Sequence, residues 1–431
     1  MNRLIILLLS LFLLNNCSLN ENSKIWKEKE KNLESKNIEK VFLDKKIIVS
    51  EFNQELKLNL GEIQSNNKTI DNQNNYGSQS YDGLIKKVGN YKFSKLENIN
   101  QLNFKPIFLD NGIIFFDKKG SIIRYNENQK IVWKSNHYSK AEKKLNPKLY
   151  FALDKQNLII ADNISKYYSI NINTGKLNWS KNNKYPFNSE IKKVKNKFFV
   201  VDYKNTLRCF SVYDGSECWN LQTEESFTIS DSKYSLIVVD DMVVFSNSIG
   251  DISAVDINTG LIGWQLPTQS SNITNETYDF KTSKLVSDNN SIFFSTNKDE
   301  FYSIDVKTGT INWINKVSSN ITPIVIGNLI FTVSNEGYLF VVEKNKGNIV
   351  RITDLFKNYK IKKRKNIKAI GFVIGNTNLY LTKSDGKMIV VDLSLGNVIS
   401  SEKISGSFTS EPFIFNNSLF VIKNGSITQY N

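Results

Sequence analysis

The sequence predicts an all-β protein: an eight-bladed β-propeller of four-stranded antiparallel blades, with the ring closed by an N-terminal strand. Three observations lead there. One hairpin sentence recurs every 40–50 residues. Each period holds about four short apolar runs separated by turn residues. The last period is one strand short, and a strand-like run stands ahead of the first. A repeat of this length built from antiparallel runs is a propeller signature.

The clearest copy of the hairpin is Ile252–Trp264, ISAVDINTGLIGW. Asn258, Thr259 and Gly260 make its turn, because Asn and Gly tolerate positive φ and Thr bonds its own backbone. Trp264 ends the return strand with a large ring to bury. The same pattern ends at Trp179 after Gly175 and at Trp313 after Gly309. A degraded copy ends at Trp219 after Gly215, and another at Trp133 without the glycine. Two further units keep the turn at Gly347 and Gly396 and lose the Trp. The five tryptophans Trp133, Trp179, Trp219, Trp264 and Trp313 read as packing residues, since a fixed place after each turn is what stacked blades require.

Unit five shows the internal order. Its expected strands are Ser283–Ser287, Ser291–Thr296, Glu300–Val306 and Thr310–Ile314. They are rich in Ile, Val, Phe and Tyr and separated by short turns, which favours a meander. Eight units begin near Pro106, Leu149, Glu190, Ser235, Ser283, Thr322, Ile370 and Glu411, and the last stops after three strands at Tyr430. An open ring exposes strand edges. Leu56–Leu60, which alternates apolar and polar, is therefore expected to supply the missing strand. An open β-solenoid would have shorter periods and no hairpin Trp.

Ahead of the repeats, Arg3 and the eleven-residue apolar run Leu4–Leu14 read as an export signal too short to span a bilayer. Cys17 follows directly and resembles the acylated cysteine of a bacterial lipobox. Residues 1–16 are thus expected to be a lipoprotein signal peptide, 17–51 a polar tether and 52–431 the propeller, with a loop-rich insertion at 61–100. Several acyl chains on Cys17 would anchor the protein stably. Export places Cys209 and Cys218, which flank the turn at Gly215, in an oxidising compartment. They stand as a possible disulfide or as two small sheet residues.

The chain of 431 residues carries a net charge of +14. Its lysines are scattered among Asn and Ile, which points to compositional bias rather than to nucleic acid. The densest cluster, Lys360–Lys365, reads as a solvated loop, with an acidic lipid or partner as the alternative. Chemistry is scarce. The single His137 sits in a polar loop, so no triad or His-based metal cluster can be built. Asp240 and Asp241 form a turn between apolar runs. No catalytic, cofactor or metal residues are expected.

The Asp-x-x-Thr-Gly-x-x-x-Trp hairpins at Asp256–Trp264 and Asp305–Trp313 resemble the repeat of pyrroloquinoline-quinone (PQQ)-type propellers. Two subfamilies matter: the quinoprotein dehydrogenases, and the outer-membrane assembly lipoproteins of the BamB family, which are cofactor-free binding scaffolds. An exported lipoprotein of eight such blades resembles the second. That resemblance implies a non-enzymatic scaffold on the periplasmic face of the outer membrane, monomeric within a hetero-complex. Its implied partners are the POTRA domains of a BamA-like barrel-assembly protein, other assembly lipoproteins and unfolded outer-membrane proteins. It implies partner contacts in an inter-blade loop that here reads Asp279-Phe-Lys-Thr282-Ser-Lys284. Asp279 and Thr282 match the family pattern, Lys281 replaces an acid, and Lys284 stands where the family has Pro. The preceding loop, Leu221–Ile229, is expected on the same face. A PQQ-dependent dehydrogenase is the alternative function, and a surface adhesin a weaker one.

Overall fold

Each repeat folds into one four-stranded antiparallel sheet. The computed structural model describes residues 49–60, 74–94, 104–224, 232–268, 281–406, 408–423 and 425–431. Among these residues eight sheets of four strands form. Seven are consecutive meanders whose first strands are Ile107–Leu109, Leu149–Asp154, Lys192–Val194, Leu236–Val239, Val286–Ser287, Ile324–Ile326 and Ala369–Ile374. The eighth begins at Pro412–Phe415, and its fourth strand comes from the amino-terminal part of the chain. The expected unit starts lie within three residues of these strands.

The second and third strands of every blade are almost wholly buried, as in Gly112–Phe116 and Ile252–Asp256. Blades stack face to face, so these strands have no solvent side and read as continuous apolar runs. The fourth strands form the rim; most, such as Leu177–Asn182, are largely exposed, whereas Ile349–Asp354 of blade six is mostly buried. The core runs between blades. Phe108 of blade one meets Phe413, Phe415 and Phe420 of blade eight at ring-centroid distances of 4.9–6.0 Å, which seals the ring.

The closing strand is not the expected one. Lys87–Lys92 pairs antiparallel with Ser426–Tyr430 and completes blade eight. Leu56–Leu60 instead lies against blades six and seven. Phe52 exchanges both backbone hydrogen bonds with Ile352, and the Leu58 amide donates to Ser394 O (3.0 Å). The physical reason is position. A closing strand takes the rim, where few positions are buried: in KVGNYK only Gly89 and Tyr91 are, and one glycine and one tyrosine make no readable apolar alternation. Leu58 is buried in the core shared by blades six and seven, which accounts for its pattern. Cys17, the signal segment, the tether up to residue 48 and Asp279 lie outside the described residues.

Candidate docking face and axial channel

The hairpin turn builds itself from its own side chains. Asp256 Oδ1 accepts from the amides of Asn258 and Thr259 and from the Thr259 hydroxyl, at 2.8–2.9 Å, and Asp305 repeats this with Lys307 and Thr308. The Thr308 amide and hydroxyl therefore hold the Asp305 carboxyl below its usual range. The closing glycines sit at φ +68° to +78°, which L side chains rarely adopt.

Each glycine also leaves room for the Trp of the blade before it. A Cβ on Gly175, Gly215, Gly260, Gly309 or Gly347 would lie 2.5–2.8 Å from the ring of Trp133, Trp179, Trp219, Trp264 or Trp313, respectively. Each indole N–H then donates to a carbonyl of the same neighbouring turn: Ile172, Val212, Ile257, Val306 and Lys344, at 2.8–3.3 Å. His137 fits the same seam, its Nε2 lying 3.2 Å from Gly175 O.

Blade six has no Trp, and the buried Arg351 occupies its register position, opposite Val341. At the seam where the ring closes, Gln129 takes the glycine's place with φ +63°, and its side chain accepts from the Asn90 amide at 2.9 Å. Sequence reading missed both. Arg351 stands eight residues beyond Glu343, as Trp313 does beyond Asp305, so the spacing held the signal.

Strand direction sorts the loops onto two faces. Connections between blades share one face with the turns between second and third strands, and the Trp hairpins lie on the other. Thr282 is on the first face, half-buried and bridged to Thr296. Leu221 pairs with Leu207 and packs against the core between blades three and four. Beyond it, Asn205 Nδ2 donates to Glu224 O (2.7 Å) and fixes the start of the loop.

Thr282 helps line an axial cavity of about 480 Å³. Its floor is the chain's own segment. Asn75 pairs its side-chain amide with both backbone groups of Val325 (2.8 and 3.0 Å), as an adjacent strand would. Asn74 does the same with Val238, and Ser78 bridges Ile374. Residues 74–79 therefore tie together the inner strands of blades four, six and seven. At the opposite mouth, Lys284 Nζ lies 3.0 Å from carboxylate oxygens of both Glu190 and Glu411, and Lys105 Nζ lies 3.7 Å from Glu190.

Burial alone would raise the Glu190 carboxyl, but Lys105 and Lys284 outweigh it and hold it well below the usual carboxylate range. Lys284, opposed by burial, is raised by the same two carboxylates. Sequence reading matched Lys284 to the partner loop; the structure turns it to the axis. The signal was there, since Lys105, Glu190, Lys284 and Glu411 each stand one or two residues ahead of a blade's first strand.

Cys209 and Cys218 are free thiols, the first buried and the second exposed. Cys209 pairs with Trp219, and the register shift after it leaves Cys218 in a bulge. Burial first, then the neighbouring Cys218, pushes the Cys209 thiol up. Among the described residues no group of three or more His, Cys, Asp or Glu side chains is placed to hold a metal.

A ring of eight sheets pinned by turn-and-Trp hairpins defines a PQQ-type propeller. Residues 118–353, more than half of the chain, match the family described as outer membrane protein assembly factor BamB, and the chain belongs to that family. The crystal structure of BamB from Moraxella catarrhalis superposes with a TM-score of 0.65 at 16% identity, covering 81% of this chain and all of that one. The quinohemoprotein alcohol dehydrogenase of Comamonas testosteroni superposes with a TM-score of 0.61 at 9% identity, covering 82% of this chain and 78% of that one. Both likenesses are of fold. An uncharacterized protein of Rickettsia prowazekii is 22% identical over 286 residues, 63% of this chain, and the match spans 66% of that relative's length.

Proposed function

We propose that the chain is a non-enzymatic scaffold of the machinery that assembles outer-membrane β-barrels. It is held by acyl chains on Cys17 at the periplasmic face of the outer membrane. There it docks a BamA-like protein through the loop face that carries Thr282. Membership of the BamB family supports this reading, and the axial channel is the observation that carries it. A quinone cofactor with its metal would need free carboxylates and a flat slot on the axis. Here Glu190 and Glu411 are committed to Lys284, Asn74 to Tyr76 line the floor, and five tryptophans are taken up by the seams. These residues do not fit a quinone–metal pair.

The test is purification of the full chain from detergent-solubilised outer membranes, with mass spectrometry of what accompanies it. A barrel-assembly protein in stoichiometric amount is expected. Its absence, or a quinone absorbance band in the purified protein, would overturn the proposal.

A further inference from the structure

We infer that the connection between blades six and seven is a contact site for an anionic phospholipid surface. Residues 355–384 contain no Asp or Glu. Within them Lys357, Lys360, Lys362, Lys363 and Lys365 are exposed. Ile361 stands among these lysines, 77% exposed, in the short helix Ile361–Arg364.

This exposure is built, because the loop is stapled at several points. Arg364 Nη1 donates to Asp354 Oδ2 at 2.6 Å, and its guanidinium lies 5.0 Å from the centre of the Tyr338 ring. Tyr359 packs edge-on against the buried Phe356 and bonds Lys383. Ile367 is buried at the far end. An aliphatic side chain held outward and ringed by ammonium groups suits the boundary between headgroups and acyl chains: the lysines meet phosphates and the isoleucine enters the hydrocarbon. Aromatic stacking residues, which single-stranded nucleic acid would require, are not what this loop exposes.

The second observation is where the chain joins the propeller. Glu51 lies 3.9 Å from Lys357 and accepts from the Asp354 amide at 3.2 Å. The next residue, Phe52, pairs with Ile352. Glu51 and Phe52, the start of the propeller unit, thus lie beside the basic loop. This inference deepens the anchored reading above and rests on it for which side faces the membrane.

The test uses the full chain carrying Cys17→Ser, so that binding is measured without acyl chains. Co-sedimentation is compared for vesicles of phosphatidylglycerol with phosphatidylcholine and for pure phosphatidylcholine. Binding to the anionic vesicles alone is expected, weakening about tenfold or more between low and 0.3 M salt. Adding Lys362→Gln and Lys363→Gln should weaken it about tenfold or more. Ile361→Ser should weaken it about threefold at unchanged salt dependence. Equal binding to both vesicle types, or indifference to the lysine changes, would overturn the inference. So would loss of a co-purifying protein on Lys362→Gln and Lys363→Gln with vesicle binding intact. The anchor is read separately from the mass of the Cys17 peptide of the unsubstituted chain. An unacylated Cys17 with anionic binding retained would refute the anchor and leave this site standing.

Discussion

Arg351 rests on Gly396, with its guanidinium carbon 2.9 Å from where a Cβ on that glycine would sit. The arrangement copies Trp313 on Gly347, one seam earlier. Arginine adds what an indole cannot. Its Nη2 donates to Leu393 O at 3.0 Å, and its Nη1 to both Ser394 O (2.5 Å) and Leu56 O (3.0 Å). One buried cation therefore pins two blades and the incoming chain. Burial opposes its charge and Asp392 favours it, while the three carbonyls satisfy Nη1 and Nη2.

Arg351→Ala should remove the guanidinium donor from all three carbonyls, leaving Ser394 O only the Leu58 amide, and lower unfolding stability by about 3 kcal/mol. The amides of Phe52 and Leu58 should also exchange faster, because Leu56 is released. Arg351→Trp should recover most of the stability in urea unfolding and leave the faster exchange. A loss under about 1 kcal/mol for the alanine variant would mean the seam does not depend on this residue.

Gly309 and Gly327 separate two costs that a Gly→Ala change usually mixes. Both have positive φ, +70° and +56°. A Cβ on Gly309 would meet Trp264 at 2.5 Å, whereas one on Gly327 meets nothing within 4 Å. Gly327→Ala should cost about 1 kcal/mol, the backbone penalty alone. Gly309→Ala should cost about 3 kcal/mol, because the rigid indole cannot yield without losing its bond to Val306 O. Equal losses by chemical denaturation would show that the seam is loose.

What could be read from the sequence follows from what each position must satisfy. The Trp hairpins were legible because positive φ demands glycine and the facing ring demands a fixed spacing. The blade starts were legible because buried strands must be apolar on both faces. Lys87–Lys92 was not, because this rim strand buries only Gly89 and Tyr91, too few positions to make a pattern. Asn74 and Asn75 were invisible too, since an asparagine that mimics a strand looks like any loop asparagine. The axial ion pairs draw on blades one, three, five and eight; each residue's place just ahead of a first strand was legible, but which of them meet only the closed ring decides.

Glu190 makes stability depend on acid. Its folded pKa is depressed, so the stabilisation is full above its unfolded value of about 4.3 and is lost as pH falls through the folded value. Its side chain is 25% exposed, so Glu190→Gln should cost about 2 kcal/mol at pH 7 rather than the larger penalty of a sealed pair. The gap between wild type and variant should narrow steadily as pH falls below about 4. Urea midpoints between pH 3 and 7 measure it, and a gap independent of pH would assign the loss to shape instead of charge.

The cysteines should react unequally. Cys218 is exposed and Cys209 buried beneath Trp219, with its thiol further protected by a raised pKa. Maleimide at neutral pH should label Cys218 within minutes and Cys209 only after unfolding. Mass spectrometry of the protein purified from its native cells reads the state directly. A mass two hydrogens light, with neither residue labelled, would show that the two are joined.

Thr282, on a connection between blades, and Leu221, near the end of the strand Glu217–Gln222 that leads into another such connection, should behave oppositely. Thr282 borders the axial mouth and is half-buried, so Thr282→Arg places a long charged side chain where a partner would approach. Leu221 packs inward against the core between blades three and four. Under the scaffold proposal, Thr282→Arg should cut recovery of the barrel-assembly protein about tenfold while leaving the melting temperature unchanged. Leu221→Ala should lower stability by about 2 kcal/mol and leave recovery intact, because the side chain never reaches a partner. Should the leucine variant alone lose the partner at full stability, docking would belong to the loop after Leu221 and not to the axial mouth. Should neither change matter, this face would not be the docking surface at all.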